Sequence, residues 1–261
     1  MLEDVDSLSR EIATQRSWSE IFDAEYSRPG LTDWEMLPLR NLGEVLSRLG
    51  PELASLRTAV EIGCGRGLRS LATLSTVEAF ARADFSYWGI DLSALAIRTA
   101  RMLAEQLALG HTVPEPFEGV LGRAALGWNR PLQAGAGFLC ADLFEWLPVQ
   151  PRGAFDLVID WMCYHEIEPQ DRAAYAASVA RSCRRYFVIN MFSREGSSAS
   201  DLGLVAGLQK FQHSEADVRA VFGPHFEIID WVQFPEDLDP HPRPTDGMVA
   251  AKRAYIMRRR T

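Results

Sequence analysis

An α/β fold is what the sequence predicts: a doubly wound, mostly parallel sheet of seven strands with an antiparallel last strand. Three observations carry the prediction. From Thr58 onward, short β-rich runs alternate with longer segments of helical character, the signature of a sheet with helices on both faces. A glycine-rich turn, "GCGRG", directly follows the first of those runs. The last two runs have no helix between them, which predicts an antiparallel pair.

Residues 1–57 come first, with helical patterning and the aromatics Trp18, Phe22, Tyr26 and Trp34, and are expected to cap the sheet as a helical segment. Residues 58–261 are expected to form the core of what is a single domain overall. The strands are read as "TAVEI", "FSYWGI", "GFLCA", "FDLVI", "YFVIN", "FEIIDWV" and "MVAAKRAYIM". Helices are predicted at 68–83, 92–109, 171–184 and 215–222, the last opened by Ser214 with Asp217 three residues on, a capping box. Two stretches break the rhythm: 110–137, rich in Gly and Pro, reads as an inserted loop, and 233–247 as a long Pro-rich connection.

Of the 261 residues, 47% are hydrophobic and 24% charged, enough for one sizeable core. A net charge of -8 argues against nucleic acid as a partner, because nucleic-acid binders present a positive field. No apolar run approaches the roughly 20 residues of a membrane span, so no membrane partner is expected. The acidic, polar start lacks the basic-then-apolar order of a secretory signal. Four dispersed cysteines and five dispersed histidines suit reduced thiols in a cytoplasm better than a disulfide frame, and no metal site is expected. A small-molecule substrate fits best, with monomer and homodimer both open.

Gly63, Gly65 and Gly67 sit on the first strand-to-helix turn, which borders the crevice where such sheets bind ligands. Glycine there permits positive φ and a bare backbone, and the following helix presents its amino end to negative charge. A dinucleotide fingerprint, G-x-G-x-x-G, would not place the large Leu68 after Gly67. Asp91 ends the next strand 24 residues beyond Gly67, where an acid accepts ribose hydroxyls. Asp142 and Asp160 end the two strands after that.

With Glu61 in front, the turn reads E-x-G-x-G-x-G, and this together with the three strand-end acids resembles the class I S-adenosylmethionine-dependent methyltransferases, whose fold is Rossmann-like. The resemblance implies S-adenosyl-L-methionine as cofactor and S-adenosyl-L-homocysteine as product. It further implies that Asp91 lies at the ribose with Leu92 also contacting the cofactor, that Asp142 and the Leu143 amide meet the adenine, and that Asp160 lies over the methionine part and the substrate. Glu61 is expected to order the loop amides or a water beside the methionine amine, since an unpaired buried acid is costly. The stretches "CYHEIEPQDRAAYAASVARSCRRYFVIN" and "HSEADVRAVFGPHFEIIDWVQF" resemble the branch containing thiopurine, thiol and tellurite methyltransferases. The N-terminal "WSEIFDAEYSRPGLTDWEM" is similar to that branch's lid, which implies that Asp33 and Trp34 close over the cofactor, the indole against the sulfonium. The turn usually found before the fifth strand is replaced by "RSCRRY", and the 110–137 insertion has no counterpart.

Methyl transfer needs alignment, exclusion of water and, for a protonated nucleophile, a base. His165, in the loop after the fourth strand, is the candidate base, with Tyr164 beside it as a candidate for orienting the substrate. The alternative for both is packing of that loop. Arg66 and Arg40 are candidates for pairing with the methionine carboxylate. The expected activity is methylation of an O, N or S nucleophile on a small, apolar or aromatic molecule, in secondary metabolism or detoxification. A peptide or protein substrate, a noncatalytic S-adenosylmethionine-binding module and a nicotinamide-dependent oxidoreductase are the alternatives. Base methylation in DNA is disfavoured because "DWMC" stands where DNA-methylating members carry (N/D)-P-P-(Y/F).

Overall fold

The computed structural model describes residues 18–32, 35, 40–80, 82–111, 117, 135–195, 204–205, 208–209, 212–234 and 251–260. Seven strands, β1 (Thr58–Ile62), β2 (Ser86–Asp91), β3 (Gly135–Cys140), β4 (Phe155–Trp161), β5 (Cys183–Phe192), β6 (Phe226–Phe234) and β7 (Lys252–Arg259), form one sheet in the order β3-β2-β1-β4-β5-β7-β6. The first five pair in parallel. The last strand runs antiparallel between β5 and β6, as the missing helix between the final runs predicts. Strand order reverses between β1 and β4, which places a crevice beyond their carboxyl ends.

All seven residues of β4 are buried, because a central parallel strand is covered on both faces and reads as a continuous apolar run. The helices are α1 (Trp18–Tyr26), α2 (Arg40–Ser47), α3 (Leu68–Thr76), α4 (Ala94–Ala108), α5 (Leu143–Val149), α6 (Arg172–Ser182) and α7 (Glu215–Phe222). Leu147, Tyr175, Val179 and Phe222 from α5, α6 and α7 pack with Val60, Val158, Phe187 and Ile189. Leu42, Leu46 and Leu74 from α2 and α3 pack with Ala59, Leu157, Ile159 and Val188, the residues that alternate with the first set along the same strands.

Several boundaries differ from the sequence expectation, each for a local reason. The helix expected over 68–83 stops at Thr76, and the chain turns so that buried Phe80 stacks on Phe85 with centroids 4.4 Å apart. The helix expected from 92 begins at Ala94, because the Ser93 hydroxyl accepts from the Ala96 amide. The helix expected over 171–184 runs from Arg172 to Ser182, and Cys183 to Arg185 extend β5 instead. Helix α5 was not foreseen: it is seven residues long, contains Pro148, and its readable signal is Asp142, whose Oδ1 accepts from the Phe144 amide at 2.8 Å. The capping box at Ser214 and Asp217 is present. No helix among the described residues is long and apolar enough to cross a membrane.

Candidate functional site

The turn after β1 folds around its glycines. Gly63, Gly65 and Gly67 have φ of 65°, 54° and 72°, values that side-chain-bearing residues adopt at a cost. The turn is tied to β2 by the Cys64 amide donating to the Ile90 carbonyl at 3.1 Å, and Gly67 opens α3. Protein atoms occupy much of the room that side chains would need. A Cβ on Gly63 would lie 2.8 Å from Cys163 Cβ, one on Gly65 2.5 Å from the Tyr26 hydroxyl oxygen, and one on Gly67 2.9 Å from the Phe138 ring. The bare backbone thus accommodates the chain's own neighbours as well as whatever lies in the crevice.

The four acids of the motif take distinct places. Asp91 is half-buried; its Oδ2 accepts from the Gly65 amide and its Oδ1 from the Ser93 amide, both at 2.8 Å, so it joins the glycine turn to the start of α4. Burial pushes its carboxyl up to about 6, against the pull of those two amides. The loop amide at Gly65 therefore goes to Asp91 and not to Glu61. Glu61, almost fully buried, accepts from the Ser70 hydroxyl at 2.5 Å and from the Tyr87 hydroxyl through Oε2, while Oε1 has no partner. Burial raises its carboxyl, and the nearby Arg69 guanidinium opposes the rise. Asp142 is the cap of α5, and Leu143, whose side chain is in the core, is that helix's first residue, where no intrahelical acceptor exists for its amide. Leu92 is half-buried, and its carbonyl accepts from the Cys140 thiol at 3.4 Å.

Asp160, expected over the methionine part, stands near the end of β4 beside Ile62 with its carboxylate turned to protein donors. It is wholly buried; Oδ1 accepts from the Cys163 and Tyr164 amides at 2.8 and 3.2 Å, and Oδ2 from the Tyr175 hydroxyl. Its carboxylate thus shapes the loop after β4 from within the core. Burial pushes it, too, up to about 6.

That loop contains a short helical turn, Tyr164–Glu166. Tyr164 is 1% exposed, with ring centroids 5.4 Å from Tyr175, 4.8 Å from His213 and 5.1 Å from Phe222, so it packs and does not face a substrate. Burial holds its phenol above the ordinary range. His165 is 3% exposed, edge-on to Phe192 at 4.8 Å, with Nε2 3.3 Å from Glu166 Oε1. Trp161 is buried with its edge toward Phe234, and the Arg69 guanidinium lies 5.6 Å from its ring centre.

The N-terminal segment reaches this site through residues that the sequence reading did not single out as functional. Asp23 of α1 accepts from the Ser93 hydroxyl and from the Leu95 amide at 3.1 Å, capping α4 beside Asp91. Tyr26 stands over Gly65, and buried Glu35 pairs with Arg66 at 3.2 Å. Arg66 is therefore committed to the N-terminal segment and not placed to serve a ligand carboxylate, a correction to the expectation. The readable signal for Glu35 was its spacing from Thr32, whose amide and hydroxyl both donate to Glu35 Oε2. Asp33, Trp34 and the Arg40 side chain lie outside the described residues, as does nearly all of the 110–137 insertion.

No family model matches the chain, and no curated protein matches it. Solved structures do. A protein from work on the conversion of a disulfide bond into a thioacetal group during echinomycin biosynthesis is 22% identical, with a TM-score of 0.58 and 93% of each chain covered. Magnesium protoporphyrin IX methyltransferase from Synechocystis PCC 6803, with bound S-adenosylhomocysteine, is 18% identical, with a TM-score of 0.56 over 92% of this chain and 94% of that one. TehB from Haemophilus influenzae is 12% identical, with a TM-score of 0.55 over 93% of this chain and 67% of that one. The fold is that of the class I S-adenosylmethionine-dependent methyltransferases.

Proposed function

We propose that the chain is an S-adenosylmethionine-dependent methyltransferase that methylates an O, N or S nucleophile of a small, apolar or aromatic molecule in the cytoplasm, releasing S-adenosylhomocysteine. The observation that carries this reading is Asp91 joining the glycine turn to α4, in a sheet of the methyltransferase order. The residues present fit that cofactor. Asp91 keeps an exposed edge, and a carboxylate suits a diol. The Leu143 amide stands at the start of its helix, and the partnerless Oε1 of Glu61 calls for a donor.

S-adenosylmethionine supplies, when bound, a methyl carbon activated by a sulfonium. The chain's own part is to orient and to move a proton. Asp160 fixes the loop that carries His165. Nε2 lies 3.3 Å from Glu166 Oε1, so the carboxylate stabilises the ring once it takes a proton. The burial of His165 and Tyr164 favours a second reading, a module that binds the cofactor without turnover. Calorimetry with S-adenosylmethionine, followed by labelled-methyl transfer to a panel of thiols, phenols and amines, decides. Micromolar binding with transfer supports the enzyme, binding without any transfer the module, and failure to bind overturns both.

A further inference from the structure

Arg66 lies inside the glycine turn, yet its side chain leaves it. Nη1 donates to the Gly30 carbonyl at 2.8 Å and lies 3.2 Å from Glu35 Oε2, while Nη2 donates to the Tyr26 carbonyl at 2.5 Å. The guanidinium carbon stands 5.2 Å from the Tyr26 ring centre and 5.5 Å from that of Phe117. Burying a cation to 5% exposure is costly, and here one carboxylate, two carbonyls and two ring faces offset the cost. Tyr26 belongs to α1, and Phe117 to the insertion, where with Leu31 it packs against Leu68, Ile97 and Phe138. Two segments far apart in sequence thus meet on one residue of the turn. Asp23 fastens α1 independently on the other side of Asp91, through Ser93 and Leu95.

We propose that Arg66 is the positioning residue that docks α1 and the Phe117 ring onto the glycine turn, and that Tyr26 is the residue through which α1 touches a ligand lying there. The proposal rests on the turn being the cofactor site. Because Arg66 is flanked by Gly65 and Gly67, the docked segment and the shape of the turn are coupled: withdrawing α1 requires breaking the Tyr26 carbonyl's hydrogen bond to a buried guanidinium rooted in the turn itself. Lysine cannot replace it, since one ammonium cannot reach two carbonyls and a carboxylate in a fixed plane.

The test is hydrogen exchange by mass spectrometry on the full chain, without ligand and with S-adenosylmethionine. Without ligand, Arg66→Met and the Arg66→Met/Glu35→Gln double variant should exchange at least about tenfold faster over residues 18–32, with Arg66→Lys in between. The double variant removes both buried charges together, which keeps the fold where the single change strands Glu35. If neither Met variant folds, Phe117→Ala, which takes away one ring and no charge, is read instead, with the same acceleration expected on a smaller scale. Cofactor dissociation should quicken in parallel by about tenfold. Tyr26→Phe should raise the cofactor Kd about fivefold, the loss of one hydrogen bond to the ligand. Wild-type exchange rates in the folded Arg66 variants, or in Phe117→Ala where it stands in for them, overturn the docking role, and an unchanged Kd in Tyr26→Phe overturns the contact. Should the wild-type chain bind no S-adenosylmethionine, the functional reading falls, while the ligand-free exchange still decides for or against Arg66.

Discussion

Asp91 closes β2 and Asp160 stands next to last in β4; burial lifts both carboxyls to about 6, yet their surroundings differ. Asp91 stays half-buried and divides its oxygens between two loop amides. Asp160 is sealed off and answers two amides and a phenol. What differs is the chain that follows. After β4 a tight turn points its amides back at the strand and α6 brings Tyr175 over the carboxylate, whereas after β2 Ser93 caps its own helix and leaves one side of Asp91 open. An acid at a strand end is therefore left partly open or sealed in as a brace according to which donors the next loop supplies.

That contrast can be broken most sharply at Asp160. Asp160→Ala should cost about 3–5 kcal/mol in urea unfolding, because three buried donors lose their acceptor. Stability within 1 kcal/mol of wild type, with only ligand affinity lost, would make Asp160 the same kind of residue as Asp91. Asp91→Ala should instead weaken S-adenosylmethionine by about 2–3 kcal/mol in calorimetry, as a charge-assisted contact is lost. An unchanged Kd removes it from the site.

The acids also separate by pH. Asp160 binds more protons folded than unfolded between 3.8 and about 6, so its ionisation opposes folding by about 3 kcal/mol once the pH passes 6. The stability of wild type relative to Asp160→Asn should therefore fall as pH rises from 4 to 7, read from paired unfolding curves. For Asp91 the readout is affinity: cofactor binding should weaken as pH drops through about 6, and Asp91→Asn should abolish that slope. The smallest effect belongs to the loop that Asp160 braces, where His165→Gln should leave cofactor affinity within about twofold and slow transfer only to acceptors that carry a proton.

Much of this was legible in the sequence because it is written in local patterns. The alternation after Thr58 gave strands and helices, and the run without a helix before β7 announced the antiparallel insertion. Gly63, Gly65 and Gly67 could be placed on one turn, and Asp91 at the end of the neighbouring strand, because strand-to-helix spacing in such sheets is nearly fixed. Illegible were contacts made across long separations. Nothing near Asp160 in the chain tells that Tyr175 will reach its carboxylate, and nothing near Arg66 tells that Tyr26 and Gly30 will claim its guanidinium. Helix α5 escaped because seven residues with Pro148 inside show no helical period. Trp34, expected to close over the cofactor, lies outside the described residues, and Tyr26 is the aromatic found over the turn.

Gly63 has a meaning beyond this chain. Its φ of 65° and the Cys163 Cβ that would sit 2.8 Å from any side chain there make it a joint between two loops of the protein itself. A lineage that abandoned its chemistry would still be selected to retain that glycine, so in a survey of descendants its persistence would testify to architecture and not to surviving activity.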